Sequence, residues 1–212
     1  MNHLGRLLAP TLLALLVAPV AAAAPPVVID GDMGEWQAVR PALSDPADAR
    51  DAFIDIGECK VMATPGHLAF QIELRREVNV QKLDGTLLVL FDVDADDDTG
   101  SEEHGMAGCD LVLEMTPPGR GRRGGMGMGL RTAGSGRGGR LSPYDLNLHM
   151  APTYASDRVE FRIDRGLRER GLPVAFADDA AELRFVAVDT AGTVVDETDV
   201  IRVDLPSLQP HT

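Results

Sequence analysis

The sequence has 212 residues, 44% hydrophobic and 25% charged, a composition typical of a globular protein and unlike a disordered or collagen-like chain. This length fits one domain, or at most two small ones. With 20 Lys and Arg against 33 Asp and Glu, the formal net charge is −13. An acidic surface repels nucleic-acid phosphates and anionic membranes. The composition therefore argues against nucleic acid as a partner and favours cations.

The first 24 residues predict a cleaved signal peptide. Residues 1–6 carry one positive charge, residues 7–20 are an apolar run, and the alanines at 21–24 offer an A-x-A cleavage site. Pro10 and Pro19 interrupt the run, which is also shorter than the ~20 residues that a membrane span needs. We therefore expect a secreted or periplasmic protein, with no membrane insertion after cleavage.

The remaining chain, residues 25–212, predicts a single all-β domain. Residues 67–75 alternate between hydrophobic and polar side chains, as a half-buried antiparallel strand does. Residues 144–150 and 158–164 repeat the alternation and predict a hairpin. Short apolar runs separated by turn residues occupy residues 52–62, 86–93, 110–115, 182–189 and 200–203.

Helix is favoured only at residues 165–170, about two turns between Asp164 and Gly171. About eight or nine short strands in a chain of this size are typical of a two-sheet antiparallel β-sandwich. Residues 119–140 contain ten Gly, six Arg and no acidic residue, which predicts a long flexible loop. Nucleic-acid binding by such a tract is the alternative, and the acidic body of the protein argues against it.

Seven carboxylates lie in the 12 residues from 92 to 103, directly after an apolar strand. Since no Lys or Arg separates them, a hard cation with oxygen ligands, Ca²⁺, would best relieve their mutual repulsion. The EF-hand loop requires Gly at its sixth position and a preceding helix, whereas this chain has Asp97 and a strand. A calcium loop of another kind is expected, and a solvated acidic turn is the alternative. The predicted ligands are Asp92, Asp94, Asp96, Asp98 and Glu103.

Cys59 and Cys109 are the two cysteines of the chain. Export to an oxidising compartment would permit a disulfide between them, while two cysteines alone make a poor zinc site. Two separately buried thiols are the alternative, because sequence does not place the two Cα atoms within bonding range.

Four segments, taken in order, resemble a known group of domains. They are VVIDGDMGEW at residues 27–36, DARDAFIDIGECKVMATPGHLAFQIEL at 48–74, LLVLFDVDADDDTG with GCDLVLEM at 87–115, and DRVEFRID at 157–164. This succession resembles the family 9 carbohydrate-binding modules and related DOMON-like sandwiches. The resemblance implies a secreted β-sandwich that is often stabilised by calcium and sometimes binds sugar.

Sugar-binding surfaces usually stack pyranose rings on exposed aromatic side chains, and this chain has few. The candidate ligand contacts are Trp36, Tyr144 and Tyr154. Trp36 belongs to the opening motif, and we expect it to anchor the first segment against the sandwich. A sugar platform is the alternative role for this residue.

The sequence carries no hydrolase, zinc-protease or nucleotide-loop motif, so a non-enzymatic module is predicted, with calcium as its cofactor. Its expected partner is an extracellular carbohydrate or another cell-surface component. A structural or accessory envelope protein without a sugar site is the alternative. A third alternative, from the DOMON resemblance, is haem binding. Residues of the type that ligate haem are Lys60, Met62, Met115, His149 and Met150, although methionines also serve as ordinary core residues.

Overall fold

The computed structural model describes residues 27–115, 127–134, 139–142, 146–165, 176 and 179–207. The predicted signal peptide, Tyr144 and residues 166–170 of the predicted helix lie outside these ranges. Within them the regular structure is β-strand apart from two single-turn 3₁₀ helices, Glu35–Ala38 and Val80–Lys82. Across this part of the chain no helix has the length and hydrophobicity to cross a membrane.

Fourteen strands are found among the described residues. In chain order they are β1 (Pro41–Ser44), β2 (Glu58–Ala63), β3 (His67–Val78), β4 (Gly85–Asp92), β5 (Ser101–Glu103), β6 (Met106–Cys109), β7 (Leu111–Met115), β8 (Met128–Thr132), β9 (Arg140–Leu141), β10 (His149–Ala151), β11 (Ser156–Asp164), β12 (Ala180–Asp189), β13 (Val194–Glu197) and β14 (Ile201–Asp204). Every pairing between them is antiparallel.

Two sheets pack face to face, which confirms the predicted all-β sandwich. The first sheet has the order β1-β2-β3-β11-β10, and the second has the order β13-β12-β4-β7-β8-β9. β14 also belongs to the second sheet, because the long β12 pairs with β14 through its first half and with β13 through its second. The predicted hairpin is present as β10 and β11, although β10 is shorter than the sequence pattern suggested.

The core lies between the two sheets and follows the alternation seen in the sequence. Leu68, Phe70, Ile72 and Leu74 of β3 are all fully buried and face residues such as Phe91 of β4. Phe70 stacks on Phe161 with ring centroids 4.6 Å apart and meets Phe91 edge-on at 5.8 Å. The alternation of side chains along each strand thus determines which residues of the two sheets face the core.

Part of the Gly/Arg-rich tract is a strand, so the prediction of a flexible loop over residues 119–140 is wrong for residues 128–132. β8 pairs with β7 along its whole length, and Leu130 is only 2% exposed in the core. Its neighbour Arg131 is held by two carboxylates, Glu103 and Glu114. One apolar side chain facing the core, one paired arginine and a neighbouring strand on each side hold this glycine-rich strand within the second sheet. Residues 119–126 and 135–138 lie outside the described ranges.

The two cysteines are free and buried, so the disulfide is not formed and the alternative of two separate thiols is correct. Cys59 lies in the core between the sheets. Cys109 packs with Leu90 and Val112 on the outer face of the second sheet. Burial raises the pKa of both thiols, so neither is a ready nucleophile.

Trp36 anchors the N-terminal segment on the outer face of the first sheet, as expected, and its use as a sugar platform is excluded because the residue is 0% exposed. Its indole Nε1 donates to Glu160 Oε2 at 2.8 Å. The other oxygen of Glu160 accepts the backbone N–H groups of Asp30 at 2.9 Å and Gly31 at 2.6 Å. Lys60 Nζ donates to the carbonyl oxygen of Trp36 at 2.9 Å. The opening motif therefore closes over a buried carboxylate whose oxygens are both hydrogen-bonded.

Removing this anchor should be costly. We expect Trp36→Ala to lower the free energy of unfolding by about 3–5 kcal/mol, because it leaves a cavity and removes one donor from buried Glu160. Chemical denaturation measures the loss, and Tyr154→Ala, at a side chain that is 65% exposed, should stay within about 0.5 kcal/mol of the wild type. Since Trp36 is the single tryptophan, native fluorescence should be blue-shifted and barely quenched by iodide. Red-shifted emission quenched by iodide would contradict the buried anchor.

Candidate metal centre

The acidic loop begins where the central strand of the second sheet ends. Asp92 is the last residue of β4, and the chain turns through residues 93–100 before β5 and β6. Asp110, between β6 and β7, lies next to the end of β4, because its backbone N–H donates to the carbonyl oxygen of Phe91 at 2.8 Å. Two separate parts of the chain thus bring carboxylates to one end of the sheet.

Asp92 is the buried member of this group. Its side chain is 0% exposed, and Oδ1 accepts the backbone N–H groups of Asp94 at 3.2 Å and Asp96 at 3.3 Å. Its Oδ2 is buried and has no hydrogen-bond partner among the described residues. Burial, followed by the neighbouring Asp94 carboxylate, raises the pKa of Asp92 to about 6. The fold therefore holds one carboxylate oxygen out of water without supplying a donor for it.

Gly108 makes room beside that oxygen. A Cβ at this position would lie 2.5 Å from Asp92 Oδ2 and 2.9 Å from the carbonyl oxygen of Asp96, and the backbone φ of +67° also favours glycine. A cavity of about 190 Å³ adjoins the site and is lined in part by Val93, Gly100 and Asp110. The space left by Gly108 therefore lies next to a carboxylate oxygen of Asp92 and the carbonyl oxygen of Asp96.

Oxygens from Asp92, Asp94 and Asp110 lie within 4.8 Å of one another. Asp94 Oδ1 accepts the hydroxyl of Thr99 at 3.1 Å, and Asp110 Oδ2 accepts the backbone N–H of Val93 at 3.1 Å. Each of these two carboxylates is thus oriented by one hydrogen bond and keeps a second oxygen. Oxygen ligands from flexible loop residues suit Ca²⁺.

Asp92 and Asp94 come together as the sequence suggested, but the rest of the predicted ligand set is placed differently. Glu103 binds Arg131 through both oxygens, at 2.8 and 3.1 Å, and this arginine lowers the pKa of Glu103. Asp96 Oδ1 accepts the backbone N–H of Asp98 at 3.0 Å. The EF-hand spacing fails beyond Asp94, because a strand follows the loop and carries Glu103 onto the sheet.

The sequence pattern, which counted along the loop, did not include Asp110 in this carboxylate group. The signal that could have found it is the G-x-D segment at residues 108–110. There the glycine opens the space beside Asp92, and the aspartate returns to it. A second missed residue is Glu182 of β12, which pairs directly with Asp92 across the sheet.

A second acidic group, Asp45, Asp48 and Asp196, lies between β1 and β13 and was also missed by the sequence pattern. Of the three carboxylates, that of Asp196 receives a backbone donor. Asp196 Oδ2 accepts the backbone N–H of Ile56 at 2.5 Å, and Arg75 donates to the backbone carbonyl of Asp45. Burial, with repulsion from Asp196 and Asp48, raises the pKa of Asp45 to about 6.

The residues considered for haem are divided between the core, the outer face of the first sheet and the exposed surface. Met115 and Met150 pack against the core between the sheets, whereas Met62 packs with Trp36 on the outer face of the first sheet. The Lys60 ammonium is engaged by Trp36 and by Glu58, at 2.9 and 3.1 Å. His149 is exposed and bonded to Asn147.

No protein-family model matches the chain, and no curated protein matches it significantly. The chain is similar to a solved structure from Bacteroides uniformis, that of a proposed carbohydrate-binding protein, with 8% sequence identity over 91% of this chain and 88% of the other and a TM-score of 0.43. A similarity at this level does not identify a ligand, so the function has to be argued from the site itself.

Acid should stabilise the region around Asp45. The pKa of Asp45 in the folded protein, about 6, is above the ordinary 3.8. The contribution of this residue to the stability of the fold is therefore full below a pH of about 3.8 and is lost as the pH rises through about 6. We expect Asp45→Asn to be more stable than the wild type at pH 8 and to lose this advantage at pH 4, as measured by melting temperatures across that range. Asp157→Asn, at an exposed carboxylate, controls for removing one surface charge. An Asp45→Asn variant that is less stable at every pH would contradict the repulsion.

Proposed function

We propose that this protein is an exported, non-catalytic β-sandwich that binds Ca²⁺ through Asp92, Asp94 and Asp110. The observation that carries the proposal is the buried Asp92 carboxylate, whose Oδ2 has no hydrogen-bond partner among the described residues. An unsatisfied buried oxygen that carries charge destabilises a fold. A cation at this oxygen would remove the penalty and offset the repulsion from the two neighbouring carboxylates.

The chemistry of the donors favours calcium over other metals. Among the described residues near Asp92, neither candidate metal group contains a histidine or a cysteine, which disfavours zinc and copper. Asp94 is exposed and Asp110 partly exposed, so water can complete a coordination of six to eight oxygens. Mg²⁺ requires a stricter octahedron than a loop with this irregular geometry offers.

The expected role of the ion is structural. It would join the end of β4 to the segment between β6 and β7, two points that lie 18 positions apart in the chain, as Asp92 and Asp110 show. In the absence of the ion, the link between these segments includes the backbone hydrogen bond from Asp110 to Phe91 and that from Val93 to Asp110. Calcium would therefore stabilise the folded protein by binding it and not the unfolded chain.

Calcium should raise the melting temperature. A ligand bound by the folded state alone adds about 2.7 kcal/mol at a concentration of 100 Kd. We expect the gain in the wild type and its loss in Asp92→Asn, measured by calorimetry of the mature protein in EDTA and in millimolar CaCl₂. Asp98→Asn, an exposed carboxylate of the same loop outside either metal group, should keep the gain. Identical melting curves for the wild type in both buffers would exclude the site.

An extracellular carbohydrate is the partner we propose, and one surface feature favours it. The pairing of β3 with β11 shifts register between Arg158, opposite Glu73, and Ser156, opposite Val78. An open groove of about 560 Å³ lies at this irregularity, and it is lined by Arg75, Arg76, Glu77, Ala155, Ser156 and Asp157. Charged and hydroxyl side chains of this kind can bind sugar hydroxyls.

Tyr154 precedes this groove in the chain and is 65% exposed. An exposed tyrosine ring can stack against a pyranose face. If the proposal is correct, a glycan array will show binding to one class of sugar, and Tyr154→Ala will weaken that binding at least about tenfold, or ~1.4 kcal/mol. Tyr154→Phe, which keeps the ring, should retain most of the affinity. A flat array together with intact calcium binding would favour the structural or accessory role instead.

A further inference from the structure

A second set of carboxylates includes Asp92. Oxygens of Asp92, Asp97 and Glu182 lie within 4.8 Å of one another. Asp92 and Glu182 occupy directly opposite positions on the paired strands β4 and β12, and Asp97 comes from the exposed side of the loop. Two of the three members are therefore held by a sheet and not by the loop alone.

Glu182 is already oriented by the protein. Its Oε1 forms an ion pair with Arg202 Nη1 at 2.9 Å, an interaction between the adjacent strands β12 and β14, where the two residues are direct partners. The second oxygen of Glu182 is left for another ligand. An arginine that fixes a carboxylate through one oxygen restricts its rotamers, which lowers the entropic cost of binding an ion.

The charges around Asp92 exceed what one divalent ion can offset. The two groups together contain five carboxylates, Asp92, Asp94, Asp97, Asp110 and Glu182. Among the described residues, Arg202 is the one cationic side chain that forms an ion pair with any of them. One Ca²⁺ and one arginine leave part of this charge without a counter-ion, and a second Ca²⁺ completes the neutralisation.

Asp92 is the member common to both groups. It is 0% exposed, and its Oδ2 is buried without a partner. A carboxylate can bridge two cations, and close pairs of divalent ions in proteins are held by shared ligands of this kind. From this juxtaposition we infer that the protein holds a second divalent cation of the calcium type, bound by Asp92, Asp97 and Glu182, with Asp92 shared between both ions. The inference rests on the proposed calcium site and extends it.

The number of bound ions tests this arrangement. Isothermal titration of the metal-free mature protein with CaCl₂, and elemental analysis after dialysis, should give two Ca²⁺ per wild-type chain. Asp97→Asn should bind one ion, because it removes a ligand of the second group and leaves Asp94 and Asp110 in place. Glu182→Gln should also bind one, and Asp92→Asn none. Asp98→Asn, a loop carboxylate outside both groups, should still bind two. Circular dichroism in EDTA verifies that each variant is folded.

The outcomes separate this inference from the proposed function. One Ca²⁺ per wild-type chain, bound equally well by Asp97→Asn and Glu182→Gln, overturns the shared site and leaves the single calcium site in place. Two ions that persist in both of these variants also overturn it, since the second ion then lies elsewhere. No calcium bound to the wild type overturns the proposed function and the inference with it. Should Glu182→Gln unfold because it loses Arg202, the exposed Asp97 variant alone decides.

Discussion

The burial of β4 on both faces is the constraint on which the rest of the structure depends. Every residue of this strand is buried, with Leu87, Val89 and Phe91 in the core between the sheets and Leu88 and Leu90 under the outer cluster that includes Met106 and Cys109. A strand that is covered on both faces also excludes water from the side chain at its end. That side chain is Asp92. The same packing that forms the sandwich therefore produces the buried Asp92 carboxylate on which the proposed calcium site depends.

The packing of two sheets buries only their inner faces. On the outer face of each sheet, polar contacts hold a further segment of the chain in place. On the first sheet, the carboxylate of Glu160 binds the opening segment through three N–H groups. On the second sheet, Arg131 joins Glu103 of β5 to Glu114 of β7, and Arg184 donates to the backbone of His104 at 2.7 Å. These charge-assisted bonds hold the two-stranded sheet formed by β5 and β6 against the outer face of the second sheet.

The sequence predicted those features of the fold that depend on the pattern within a single strand. The alternation in β3 and β11 gave their inner faces correctly, because the period of two is a property of the strand itself. The carboxylates near Asp92 could not all be identified from the sequence, since Asp110 and Glu182 reach Asp92 through strand pairing, and register cannot be read from one strand alone. Leu130 was hidden for a similar reason. Its glycine-rich neighbours suggested a loop, and only the partner strand β7 shows that this single leucine faces the core.

The acidic groups around Asp45 and around Asp92 differ in how hydrogen-bond donors reach their carboxylates. Near Asp45, the N–H of Ile56 binds the carboxylate of Asp196, and the Arg75 guanidinium bonds the Asp55 carboxylate and nearby carbonyl oxygens. Around Asp92, both backbone donors bind the same oxygen, Oδ1, and Oδ2 receives none. A side chain at position 108 would occupy the space next to that oxygen, which Gly108 leaves open. The unpartnered oxygen of Asp92, together with the space beside it, therefore distinguishes this group from the one around Asp45.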